Sequence, residues 1–209
     1  MSGASKIGVR ETQQAGAPPQ TDRLTALADL DTQLMLQARD GNREAANTLI
    51  RRNFPRILRY VTRLVGNHRP VEDLTQDVFL HALSHADRYQ PTAKVSTWLY
   101  RIATNASLNY LNRAAVRRRA SDPPNGPLET PDRHEPTPYQ RLNLDELKQQ
   151  VAAALRELPP NQRVALTLFQ YEDCSYEQIA AVLDVSVEAV RSLLLRARTT
   201  LRGRLTNLL

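Results

Sequence analysis

The chain has 209 residues, 41% of them hydrophobic, with 28 Lys and Arg against 22 Asp and Glu, giving a net charge of +6 and a pI near 9.8. That length holds one large domain or two small ones. One cysteine excludes an intrachain disulfide framework, no apolar run approaches the ~20 residues needed to cross a bilayer, and a polar N-terminus without an apolar signal core points to a cytoplasmic protein without membrane insertion. The positive balance suits a polyanion or an acidic protein surface, although Arg-rich solvated faces alone would give the same charge. Gly is scarce and Ala, Leu, Arg, Glu and Gln are common, so the expected fold class is all-α.

Residues 1–28 carry Gly, Pro, Gln and Thr without periodicity, the pattern of a disordered tail. Helical spacing begins with Leu30, Leu34 and Ala38 and breaks at Asp40-Gly41-Asn42. A long stripe follows: Ala46, Leu49, Ile50, Phe54, Ile57, Leu58, Val61, Leu64 and Val65, with a kink expected at Pro55. Gly66 to Pro70 reads as a loop. The third helix, about Val71 to Ser84, turns Val71, Leu74, Val78, Ala82 and Leu83 inward. Asp73, Gln76, Asp77 and Leu80 fall at i, i+3, i+4 and i+7 and so share a different face. An acidic stripe ending in an exposed Leu suits docking on a basic protein surface; an ordinary solvated face is the alternative.

A loop from His85 to Ser96 holds Tyr89, Pro91 and Lys94, and the helix after it carries Trp98, Leu99, Ile102, Ala103, Ala106 and Leu111. From Arg101 to Arg119 there is no acidic residue, and Arg113, Arg117, Arg118 and Arg119 cluster at the end. Such a basic helix behind an aromatic loop suits melted DNA, where aromatics stack on bases and cations follow the backbone. Trp98 is read as core, and the alternative for the Arg cluster is the solvated start of a linker. Residues 114–139 contain Pro123, Pro124, Gly126, Pro127, Pro131, Pro136 and Pro138 and almost no large apolar residue, which predicts a flexible linker between two small helical domains, 29–113 and 140–209. Fully stretched, it would reach roughly 85 Å.

The second unit opens with Leu142, Leu144, Leu147, Val151, Ala154 and Leu155 on one helix, stopped at Leu158-Pro159-Pro160; the next helix carries Val164, Ala165, Leu168 and Phe169. Ser175-Tyr176-Glu177-Gln178 has capping-box form, and Ile179, Ala180 and Leu183 lie on one side of the helix it starts. Asp184-Val185-Ser186 makes a tight turn, Ser186 caps a second helix, and that helix buries Val190, Leu194 and Ala197. Its other faces show Glu188, Arg191, Ser192, Leu195, Arg196, Arg198 and Arg202. Two short helices around a tight turn, the second studded with Arg, suit a helix-turn-helix. Arg191 suits bidentate bonding to guanine, Ser192 either base type, and Arg196 and Arg198 phosphates. An Arg-rich solvated helix in a structural bundle is the alternative.

No Gly-rich phosphate loop or paired metal motif is present, so no catalytic residue, metal site or cofactor is expected. His81 and His85 have a spacing zinc could use but no third ligand nearby, and Cys174 has no evident base partner.

Asp-Leu-Thr-Gln-Asp-Val-Phe-Leu (73–80) followed by Ser-Thr-Trp-Leu-Tyr-Arg-Ile-Ala-Thr-Asn (96–105) resembles the first conserved domain of extracytoplasmic-function sigma factors. Leu-Arg-Glu-Leu-Pro-Pro-Asn-Gln-Arg (155–163), Ser-Tyr-Glu-Gln-Ile-Ala (175–180) and Val-Arg-Ser-Leu-Leu-Leu-Arg-Ala-Arg (190–198) resemble their second, in the right order. The resemblance implies an alternative sigma factor that binds core RNA polymerase and promoter DNA. Glu72, Asp73, Gln76, Asp77 and Leu80 would dock on the β′ clamp helices. Tyr89, Lys94, Ser96, Arg101, Asn105 and Arg113 would meet the minus-ten element. Ser186, Glu188, Arg191, Ser192, Leu195 and Arg196 would meet the minus-thirty-five element, beside the β flap. An anti-sigma protein is the expected regulator. Departures from the family pattern fall at Pro70, where Asp is frequent, at Val95, where Phe is common, at Asn109 and Asn112, often Asp and Arg, at Cys174 and Asp184, commonly glycines, and at Leu193, commonly Arg. Two other classes remain open: a free-standing helix-turn-helix regulator, which would need a dimer face that no heptad spacing marks, and a small recombinase, for which no activated nucleophile is visible.

Overall fold

The computed structural model describes residues 29–66, 70–120 and 150–205. The regular structure of these residues is helical, joined by short turns and loops, with one 3-10 turn at Ala86–Arg88. The first half contains α1 (Leu30–Arg39), α2 (Arg43–Val65), α3 (Pro70–Ser84) and α4 (Val95–Ala120); the second contains α5 (150–156), α6 (Pro160–Tyr171), α7 (Tyr176–Leu183) and α8 (Val187–Leu205). The tail expected over 1–28 and most of the expected linker lie outside the described residues.

Several helix starts have a local cause. Asp29 accepts from the Thr32 amide, and Asn42 accepts from the amides of Glu44 and Ala45, so both close orphan donors at their helix ends. α2 is one helix through Pro55, and Gly66 ends it at φ +94°, a backbone that favours glycine. Pro70 is the first helical residue of α3 rather than part of the loop, a position where its missing N–H costs nothing. The capping box at Ser175 is formed from both sides: Ser175 Oγ accepts from the Gln178 amide at 3.3 Å, and Gln178 Oε1 accepts from the Ser175 amide at 2.8 Å.

α1 differs from its sequence reading. Leu30 stays 48% exposed, and Thr32 and Met35 are the buried residues. The inward face is set by a distant partner, because the Thr32 hydroxyl lies 3.2 Å from the Tyr89 hydroxyl. Beneath it, α2, α3 and α4 pack pairwise around Leu49, Ile57, Val61, Leu64, Val78, Phe79 and Leu99. Tyr60 is fully buried on α2; its hydroxyl pairs with Thr104 at 2.7 Å and its ring meets Tyr100 edge-on at 4.9 Å. α4 extends seven residues past the boundary at residue 113 that proline content suggested, through Ala120.

In the second half α6 packs against α7 and α8, and on its other side against α2. Six consecutive residues, Arg163 to Leu168, are therefore buried, where the sequence pattern marked only one stripe. α7 also packs along α4, and one apolar cluster runs continuously from Met35 to Ala197 through both halves.

Two polar ties cross the junction. Arg163 is 8% exposed; its guanidinium donates to the Leu64 carbonyl at the end of α2 at 2.7 Å, and to the Leu158 and Arg156 carbonyls. Glu172, whose side chain is 4% exposed, follows the end of α6 and is met by Arg56 Nε at 3.1 Å and Arg63 Nη1 at 3.2 Å. Tyr100 donates to the same carboxylate, and Arg56 Nη2 also reaches the Glu172 carbonyl at 3.2 Å. Burial, reinforced by that hydrogen bond, holds the Tyr100 phenol protonated well above its ordinary range, so Tyr100 is the donor.

Left-handed backbone at non-glycine residues occurs at Asp173 (φ 51°) and Asp184 (φ 57°) among the described residues. Asp184 ends α7 in that conformation, which explains why the family pattern places glycine there; Asp tolerates it at some cost. Replacing Asp184 by Gly is expected to stabilise the chain by about 0.5–1 kcal/mol, read as a rise of a few degrees in Tm; an unchanged or lower Tm would contradict the strain. Cys174 is 7% exposed, and burial pushes its thiol up to about 11. At pH 8 roughly one thiol in a thousand is then ionised, so native labelling by a disulfide reagent should run about 100-fold or more slower than after denaturation; comparable rates would show the thiol to be accessible.

Candidate docking and DNA-facing surfaces

Glu72, Asp73, Gln76, Asp77 and Leu80 are all exposed on α3, Leu80 by 66%. The opposite side of the helix is held by Val71, Thr75, Val78, Phe79 and Ala82, and Thr75 turns its hydroxyl back to the Val71 carbonyl at 2.7 Å. Glu72 and Asp73 occupy the first turn, where carboxylates complement the helix dipole. The three carboxylates and Gln76 make no side-chain ion pair or hydrogen bond among the described residues. The stripe is thus a bare anionic face with one apolar residue at its end.

The loop between α3 and α4 is built around Tyr89, and here the sequence reading needs correction. The Tyr89 ring is 4% exposed. Its hydroxyl donates to the Ala93 carbonyl at 2.8 Å and its ring packs on Trp98 at 5.4 Å. A ring enclosed in this way is not available to stack on a base; Tyr89 closes the turn over residues 90–93 and fixes the loop that leads to Lys94. The apolar surroundings won over the exposed role because Thr32 and Trp98 converge on it from two helices. Lys94, Arg101, Asn105 and Arg113 are exposed and Ser96 is half-buried at the start of α4. Val95, a departure from the family pattern, is fully buried. The side chains of Arg118 and Arg119 lie outside the described residues.

The helix-turn-helix is formed by α7 and α8. Val190, Leu194 and Ala197 are the buried residues of α8, as their spacing predicts. Ser186 Oγ accepts from the Ala189 amide at 3.2 Å and so starts the helix. Glu188 sits in the first turn; the bonds from its own amide and from Ser186 pull its carboxyl below the ordinary range, and Arg191 adds to this. Arg191, Ser192, Leu195 and Arg196 are exposed, Leu195 by 68%, so the polar face has a large apolar residue at its centre. Arg198, read from sequence as a phosphate contact, instead lies over the Phe169 ring at 5.2 Å. Leu193 is half-buried and packs on the core, so it does not belong to that face.

Two features were not announced by any motif. The Arg56–Arg63–Tyr100–Glu172 cluster joins residues up to 116 apart in the chain. Near it, the minus-ten candidate Arg101 lies 4.0 Å from Asp184, the residue at the turn of the helix-turn-helix. His81 and His85 stack on each other at 4.3 Å, and His85 Nδ1 is tied to Ser84 Oγ and the His81 carbonyl. No group of three or more His, Cys, Asp or Glu able to hold a metal ion occurs among the described residues, and none of their helices is long and apolar enough to cross a membrane.

The Sigma-70 region 2 family matches residues 49–117 and the Sigma-70 region 4 family matches residues 148–201. Among curated relatives, the ECF RNA polymerase sigma factor SigE of Mycolicibacterium smegmatis is 37% identical over 74% of this chain, a match spanning 59% of that relative's length. The ECF RNA polymerase sigma-E factor of Escherichia coli is 31% identical over 86% of this chain and 96% of its own length. Among solved structures, CnrH in complex with the cytosolic domain of CnrY aligns with a TM-score of 0.63 at 27% identity, covering 86% of this chain and 99% of that one. The sigma factor RpoE of Bartonella quintana, in complex with the anti-sigma factor NepR, aligns with a TM-score of 0.61 at 25% identity over 77% and 96%. A near full-length relative at this identity, and two family matches in order along two helical halves, place the chain in the family of ECF RNA polymerase sigma factors.

Proposed function

We propose that the chain is a promoter-specificity subunit working in the cytoplasm, in which α3 docks on the β′ clamp helices of core RNA polymerase and α8 reads the minus-thirty-five element beside the β flap. Catalysis then belongs to the polymerase, and the chain supplies recognition. The observation that carries this reading is the pairing of opposite electrostatics on one fold. α3 presents Glu72, Asp73, Gln76 and Asp77 without partners among the described residues, while α8, started by the Ser186 cap, presents Arg191, Ser192 and Arg196 on its exposed face. A free-standing DNA binder has no use for the first surface.

Arg191 has the planar fork that bonds guanine O6 and N7 together in the major groove, and Ser192 serves either base type. Leu195, apolar and exposed, suits a thymine methyl. Arg196 fits a phosphate, which positions the helix without reading sequence. At the minus-ten element Lys94, Ser96, Arg101, Asn105 and Arg113 form the face of α4 and its preceding loop that would track a melted strand. Both solved relatives above are complexes with a second protein, one of them named an anti-sigma factor. An anti-sigma protein is accordingly the kind of regulator proposed for this chain.

The deciding experiment is run-off transcription on genomic promoter fragments with purified core polymerase: template-dependent initiation that appears only when the chain is added supports the reading, and its absence on all fragments removes it. Arg191→Ala should cost ~1–3 kcal/mol at one minus-thirty-five position and flatten base preference there; an unaltered preference in a sequence-selection assay would remove direct readout. Asp77→Arg should weaken binding to core polymerase about tenfold or more, most at low salt; equal affinity in a titration would argue against the α3 face.

A further inference from the structure

We propose that His81 and His85 form a two-imidazole site for a divalent transition-metal ion at the end of the α3 docking stripe, and that an ion bound there weakens docking. The effect on docking rests on the polymerase-binding reading above; the site itself does not. The two histidines stand four residues apart, about one helical turn, and their rings stack with centroids 4.3 Å apart and planes 20° from parallel. An ion held about 2.0–2.1 Å from each ring nitrogen needs those nitrogens roughly 3 Å apart. Near-parallel rings at the observed spacing reach that separation with a small turn of His81, which is exposed.

The local hydrogen bonds select the tautomer that binds a metal. His85 Nδ1 lies 3.0 Å from the His81 carbonyl and 2.9 Å from Ser84 Oγ. A carbonyl oxygen can only accept, so Nδ1 carries the proton and Nε2 of the neutral ring keeps its lone pair for a ligand. Ser84 Oγ donates to the same carbonyl at 3.1 Å, which leaves its own lone pairs for Nδ1. A backbone carbonyl behind the far ring nitrogen is the usual outer support of a metal-bound histidine. His85 is thereby oriented in advance, while the His81 ring makes no hydrogen bond among the described residues and is free to complete the pair.

The surrounding charge favours a cation. Asp77 stands one turn before His81, exposed and without an ion pair among the described residues, and Glu72 and Asp73 continue the same sign toward the start of α3. Beyond His85 the 3-10 turn adds Asp87, next to Arg88. Imidazole nitrogens suit nickel, copper and zinc, whereas magnesium and calcium take oxygen ligands. With two protein ligands the remaining positions stay with water, so this is a surface chelate and not a closed cage; no larger ligand cluster occurs among the described residues. The ion would place a double positive charge beside Asp77 and Leu80, both in the docking set, where a cationic protein surface has to approach.

The test uses the full chain without an affinity tag. Calorimetric titration with nickel chloride should give a single-site isotherm that EDTA reverses. His81→Ala and His85→Ala should each abolish it, His134→Ala should leave it intact, and Ser84→Ala should weaken it by up to about tenfold, through His85. In a titration of core polymerase, saturating nickel should weaken binding of the wild-type chain about threefold, the scale of one exposed charge interaction; His81→Ala should bind core equally with and without the ion. Absence of nickel binding, or an isotherm that survives His81→Ala, would overturn the site. A nickel-loaded chain that binds core as tightly as the metal-free chain would overturn the effect on docking. Failure to bind core with or without the ion would count against the polymerase-docking reading, while calorimetry still decides the site.

Discussion

A carboxylate almost stripped of water has to be met by cations or donors, and Glu172 is met by three side chains from the other half of the molecule. That requirement ties α6 to α2 and α4. Arg163 works the same seam from the opposite polarity: its guanidinium caps the Leu64 carbonyl at the end of α2, where the helix dipole favours a cation. The relative placement of the two halves follows from these ties together with the apolar contacts around them. Charged seams stabilise weakly in net terms, because desolvation of both partners opposes their attraction. They do specify which surfaces meet, since an unmatched Glu172 would be left buried and alone.

The outward surfaces follow a different rule. On α3 the carboxylates stand clear of every cation among the described residues, and on α8 the guanidinium of Arg191 and the hydroxyl of Ser192 stand equally clear of packing. Carboxylates left unpaired at a surface, as on α3, set up a local field that favours the approach of cationic groups. Arg198 marks the boundary, since it has turned onto Phe169 and serves the fold. Tyr89 marks another, an aromatic at the loop before α4 whose ring is spent on holding that loop. Position on a functional face does not settle what a side chain does there; its contacts do.

The departures from the family pattern show how the backbone constrains substitution. Asp184 stands in a left-handed turn that glycine would enter without cost, and it remains because Asp is among the few residues that tolerate such a turn. The other left-handed non-glycine residue among those described is Asp173, one position before Cys174, itself a departure from the family pattern. Val95 is wholly interior, so its exchange for a larger residue is a matter of core volume.

The amino-acid sequence by itself determined the helices, the capping box at Ser175, the buried triad Val190, Leu194 and Ala197, and the exposed acidic stripe on α3. Each depends on spacing of 3.6 residues or on a side chain bonding to its own helix end, so a local window contains all the information. Helix boundaries were less legible: α4 runs on through Ala120 because its Ala- and Arg-rich end has high helix propensity and proline begins only at Pro123. Only the tertiary structure decided the face that α1 buries, the enclosure of Tyr89, the burial of α6 on several sides and the seat of Glu172. In each case the deciding neighbour lies on another element of the fold, in several of them more than fifty residues away, and no periodicity within one segment records which distant surface will cover it.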